Sequence, residues 1–99
     1  ELDPLSPVIA FNIGFQHYMA RRHDEALAAY DAAVQKFPEF KVTQLGRCWA
    51  NYAKGDLAKA VAECRRAREL VPESPIAGFL AMVLARTGNV EEAKSILSE

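Results

Sequence analysis

Like residues recur in this chain at a fixed step. Pro4, Pro38 and Pro72 stand 34 residues apart, and Ala26 and Ala60, Ala33 and Ala67, Tyr18 and Tyr52, Phe15 and Trp49 keep the same phase. Ala93 follows Ala60 one residue early. A chain that repeats at this length uses one supersecondary unit several times, because a single unit cannot bury its apolar face alone and must stack on its neighbours. The period therefore restricts the fold to an array of small units before any single residue is interpreted.

Each unit resolves into two helices. Ser6-Pro7 and Ser74-Pro75 announce the first: serine accepts a backbone N–H at the helix start, and proline lacks an N–H that would be unpaired there. The stretches AKGD (53–56) and RTGN (86–89) mark the turn into the second. Gly55 and Gly88 suit the left-handed residue that closes a helix, Asp56 and Asn89 suit the next cap, and Asn89 to Glu92 has the form of a capping box. KFPEF and LVPES end the second helices, since the residue before a proline leaves the helical region. These signals predict helices near 7–20, 24–37, 41–54, 57–70, 75–87 and 90–98, with no segment reading as a strand. The short connections require successive helices to pack antiparallel.

The second helices are amphipathic. Ala26, Leu27, Tyr30, Ala33 and Val34 share one side of 24–37, and Ala60, Val61, Cys64 and Ala67 share one side of 57–70. Small residues at equivalent points, Ala26, Ala60 and Ala93 facing Gly14, Cys48 and Ala81, allow close approach of two backbones. Cys48 and Cys64 lack metal-ligand and Cys-x-x-Cys spacing. They read as buried, reduced thiols, with a disulfide between facing helices as the alternative.

Several function classes fit poorly. The net charge of −1 argues against a nucleic-acid binder, which needs clustered basic charge. No apolar run approaches the roughly 20 residues of a membrane span, and no signal-peptide pattern is present. The first residue is Glu1, which reads as a processed or excised chain.

The combined pattern resembles the tetratricopeptide repeat. Its unit carries a leucine–glycine pair and an aromatic in the first helix, two alanines flanking an aromatic in the second, and a closing proline. Ile13-Gly14, Ala26, Tyr30, Ala33 and Pro38 match in the first unit. Ala60, Cys64, Ala67 and Pro72 match in the second, and Leu80-Ala81, Leu84, Gly88, Ala93 and Leu97 in the third. The resemblance implies an all-α fold: a right-handed superhelical solenoid of antiparallel helix pairs, with about three repeats. It implies a single domain over 1–99, in which 1–6 end a preceding repeat, 7–40 and 41–73 are complete repeats, and 74–99 are a truncated third. LDPLSP is similar to repeat regions attached to bacterial regulators and signalling proteins, which implies a fragment of a longer protein.

Two departures carry consequences. Arg21 stands where a turn glycine is usual, and a left-handed arginine costs about 1 kcal/mol. In strict register the helix over 41–54 places Arg47, Cys48 and Asn51 at the leucine, glycine and aromatic positions. A register two residues earlier reads Leu45-Gly46 as the pair and Trp49 as the aromatic. The two differ by a rotation of about 200° and decide whether Trp49 faces a groove or the core. The strict register is preferred because Pro38, Tyr52, Gly55 and Ala60 keep phase without gaps.

No catalytic constellation is visible. His17 and His23 do not share a helical face, His17 takes a position where the resembled family packs an aromatic, and no triad, phosphate loop or metal-ligand spacing appears. Expected cofactors and metals are therefore none. RRH (21–23) and RRAR (65–68) are interspersed with Asp24, Glu25, Glu63 and Glu69, and read as solvated faces.

The resemblance implies a ligand groove on the concave side, lined by the first helices. Mapped residue by residue, it consists of Val8, Phe11, Asn12, Phe15, Tyr18, Met19, Leu45, Trp49, Tyr52, Met82 and Arg86. Helix geometry agrees, since Val8, Phe11, Phe15 and Tyr18 fall within about 80° of arc. Repeat packing falls to Gly14, Ala26, Tyr30, Ala33, Cys48, Ala60, Cys64, Ala67, Ala81 and Ala93. The expected function is a non-enzymatic, cytoplasmic protein–protein interaction module that binds an apolar peptide or amphipathic helix. The alternative is a structural or oligomerisation segment of a larger bacterial regulatory protein, whose apolar faces join two copies. That alternative is motivated by the helix over 75–87, which is apolar nearly all round. Neither reading calls for nucleic acid or a membrane.

Overall fold

The computed structural model describes residues 6–98. Most of the ELDP segment assigned to a preceding repeat lies outside the described residues, as does Glu99. Six helices follow one another: α1 (Pro7–Met19), α2 (His23–Lys36), α3 (Thr43–Lys54), α4 (Leu57–Leu70), α5 (Ile76–Arg86) and α6 (Val90–Leu97). No strand occurs among the described residues. Each helix packs against the next, and α1 also touches α3. The array is elongated, with extents of 47 × 26 × 18 Å.

The local signals act largely as their chemistry dictates. The Ser6 hydroxyl accepts from the Val8 N–H at 3.2 Å, with Pro7 in the first turn of α1. The Asp56 carboxylate accepts from the Lys59 N–H at 3.2 Å and caps α4. Gly55 and Gly88 take the left-handed conformation, with φ of 95° and 90°. Arg21 takes it too, at 63°, and is the one non-glycine residue that does so among the described residues. Two expected caps are absent. The Ser74 hydroxyl donates to the Val71 carbonyl at 2.8 Å, so α5 begins uncapped at Ile76. The Asn89 amide donates to the Thr87 hydroxyl at 2.8 Å and leaves α6 without a side-chain cap. Both side chains are drawn back to the preceding turn, a competition common to short polar side chains.

Close helix approach is concentrated at one aromatic ring. Tyr30 of α2 is fully buried, and its ring lies over Gly14 of α1 and Gly46 of α3. A Cβ at Gly14 would stand 2.6 Å from the ring and one at Gly46 2.5 Å from Cε1, so neither position has room for a side chain. Tyr30 thus joins its own hairpin to the next one.

In the second repeat the equivalent contact is covalent. Cys48 of α3 and Cys64 of α4 form a disulfide with Cα atoms 4.8 Å apart. This overturns the expectation of reduced thiols. The place where a tyrosine ring lies on a glycine in the first hairpin brings two Cα atoms within disulfide range in the second. Cys48, not Gly46, opposes the partner helix, while Gly46 faces back to α2. The disulfide sits in a core with Ala60, Ala67, Leu80, Val83 and Leu84.

Polar groups brace the same junction. Arg47 of α3 pairs with Asp31 of α2 at 3.2 Å and with Glu63 of α4 at 3.3 Å. The Gln44 amide donates to the Glu63 carbonyl at 3.1 Å and also to its carboxylate. At the far end, Arg65 of α4 makes a bidentate pair with Glu92 of α6, one arm at 2.8 Å.

Helix α5 is covered from within the chain. Ile76, Leu80, Ala81, Val83 and Leu84 are buried against α4 and α6, leaving Met82 turned outward. Its apolar circumference is largely satisfied without a second copy. On α1, Ile13 is half exposed, although it was expected to pack within the solenoid.

Candidate peptide-binding face

The first helices of the three hairpins place a continuous row of aromatic rings. On α1, Phe11 stacks on Phe15 at 6.2 Å between centroids, and Phe15 on Tyr18 at 6.0 Å. The row crosses to α3 where Tyr18 meets Trp49 at 6.3 Å. It crosses to α5 where Tyr52 meets Phe79 edge-on at 5.4 Å. The Arg86 guanidinium lies 5.8 Å from the centre of the Tyr52 ring, within cation–π range.

All of these rings are half-buried. Their lower edges rest on the core: Phe11 and Tyr18 against the cluster around Tyr30, and Trp49, Tyr52 and Phe79 against that around the disulfide. Their upper edges meet solvent. They are therefore neither sealed inside the chain nor freely exposed, but form a fixed apolar surface. Spacing along the helix explains this. Residues three and four apart share one helix side, and the apolar positions of α1 and α3 exceed what the opposing second helix can cover.

The remaining expected groove residues fall around this row. Val8 and Met19 are exposed at its two ends, at 53% and 64%. Leu45 is half-buried and lines a small hollow of about 60 Å³ with Trp49, Pro75, Ile76 and Phe79. Met82 is exposed at the α5 end. Asn12 is exposed one step round the helix from Phe11, at the position that Gly46 holds in α3, on the side that faces a preceding helix. The residues assigned to repeat packing are each buried: Gly14, Ala26, Tyr30, Ala33, Cys48, Ala60, Cys64, Ala67, Ala81 and Ala93.

Sequence reasoning left Phe79 out of the row. Counting back from Ala81 on Cys48 places Phe79 opposite Gly46, a position that faces the preceding second helix. In the first junction that space is filled by Tyr30; in the second the smaller Cys64 stands there, and Phe79 reaches across to Tyr52. The exchange of a large residue from one helix to its neighbour is the signal that could have found it.

The face carries little chemistry. Burial and the neighbouring Tyr18 push the Tyr30 hydroxyl up to about 12, so it stays protonated, and it lacks a hydrogen-bond partner. His17 and His23 are half-buried with Nδ1 unpartnered, which departs from a satisfied interior His17 and a solvated His23. Among the described residues no cluster of three His, Cys, Asp or Glu side chains could hold a metal ion. No described helix is long and apolar enough to cross a membrane.

A family profile for the tetratricopeptide repeat matches residues 16–75. With the all-α array of helical hairpins, this match over more than half of the chain shows that the protein belongs to the tetratricopeptide repeat family. Repeats of this kind generally mediate protein–protein interaction and are typically scaffolds rather than enzymes. No curated protein matches the chain.

Proposed function

We propose that the chain is a non-enzymatic interaction module whose aromatic row receives an apolar peptide or the apolar face of an amphipathic helix. The row itself carries the reading. Six aromatic rings from three helices stand in one line with their outer edges open, held from below by the core. A surface of this kind is larger than a monomer ordinarily leaves uncovered, and a ligand helix could set side chains at helical spacing along it. Burying one such side chain contributes roughly 1.5–3 kcal/mol before entropy losses. The rings are fixed before the ligand arrives, so little ordering opposes binding.

Replacing Phe15 and Tyr18 together with polar residues should abolish binding of an amphipathic peptide and leave helicity by circular dichroism unchanged. Unchanged binding would remove the row from the mechanism. Self-association through α5 loses its motivation, because that helix is covered by its own chain. The proposed cytoplasmic location also loses one support: it fitted reduced thiols, and disulfides persist mainly in oxidising compartments.

A further inference from the structure

At the C-terminal ends of the first helices, two hollows of about 440 Å³ each flank Ala53. One is lined by Tyr18, Met19, Arg21, His23 and Ala53, the other by Tyr52, Ala53, Gly55, Leu57 and Arg86. Each sets an arginine beside a tyrosine of the aromatic row, and neither is lined by a carboxylate. The nearest acids are engaged elsewhere: Asp24 with Lys54 at 2.7 Å, and Asp56 in capping α4.

Arg21 gives the first hollow a further distinction. The turn that Gly55 and Gly88 make in the later repeats is made here by an arginine held at φ 63°. A left-handed non-glycine residue is disfavoured by sterics, and strain of this kind concentrates where a side chain is needed for binding. The Arg21 side chain is exposed, and no carboxylate pairs with it among the described residues.

We propose that these two basic hollows receive carboxylate side chains of the partner, so that the ligand of the aromatic row is an acidic amphipathic segment. The inference rests on the groove reading and adds the charge of the partner to it. Apolar side chains lie along the rings, while acidic side chains beside them reach Arg21 on one side of Ala53 and Arg86 on the other. A carboxylate at Arg86 would meet a guanidinium already oriented by the Tyr52 ring.

The test uses two labelled synthetic peptides read by fluorescence anisotropy. One carries leucine and phenylalanine on one face with glutamates beside them; the other has glutamine in place of every glutamate. The glutamate peptide should bind about tenfold more tightly at low salt, and added salt should narrow the difference. The difference should also shrink in R21G and in R86Q, while R21G melts at the same or a higher temperature because glycine relieves the turn. Equal affinities for the two peptides, with both lost on replacing Phe15 and Tyr18, would overturn the acidic preference and leave the groove standing. A preference that survives in R21G and R86Q would overturn the assignment to these hollows. Binding of neither peptide would overturn both readings.

Discussion

A single tyrosine sets the spacing of the first three helices. Tyr30 fits because two glycines face it, and neither can accept a methyl group without displacing a ring that has no free space. Gly46→Ala should therefore destabilise the chain by about 1–3 kcal/mol in urea titration, as overpacking of a filled core does. Tyr30→Phe should behave oppositely. Its hydroxyl is buried without a partner, so removing it deletes an unpaired polar group and leaves stability equal or higher by about 1 kcal/mol. A large loss in Tyr30→Phe would mean that the hydroxyl is hydrogen-bonded in solution.

Among the elements, α3 and α4 are the most tightly joined pair. The disulfide crosses a separation of 16 residues, and closing a loop of that size in the unfolded chain is worth about 3 kcal/mol. Replacing both cysteines with alanine should lower stability by that order, measured against the oxidised chain. The pair also marks where sequence reading stops: two cysteines on facing helices bond or remain thiols according to a fraction of the helix separation, which spacing alone does not encode. Helix α6 is tied to α4 by Arg65 and Glu92. The guanidinium holds the Glu92 carboxyl below the usual carboxylate range. A lowered folded-state pKa contributes stability that is fully present above the unfolded value, near 4.5, and is lost as pH falls through the folded value. Glu92→Gln should accordingly flatten the acid limb of the melting profile and change little at neutral pH, since both groups are substantially exposed.

Over the whole molecule, the repeat period made most of the fold legible. Helix limits read from caps, glycines and prolines fall within one or two residues of those observed, because these signals act locally. The aromatic row was legible on α1 and α3, where four residues recur on one helix side in each. It was not legible on α5, where Phe79 enters because Cys64 replaces a tyrosine two helices earlier. Two caps were misread because Ser74 and Asn89 bond backwards. What positions the functional surface is thus partly local pattern and partly the exchange of volume between neighbouring helices.

The account as a whole depends on the outer edges of the aromatic row taking up a ligand. Its most direct measurement is a nuclear magnetic resonance titration of the labelled chain with the acidic amphipathic peptide. The predicted result is a set of shifts confined to Phe11, Phe15, Tyr18, Trp49, Tyr52 and Phe79 and the residues beside them. Shifts that gather instead on the outer sides of α2, α4 and α6, with the six rings unmoved, would contradict it.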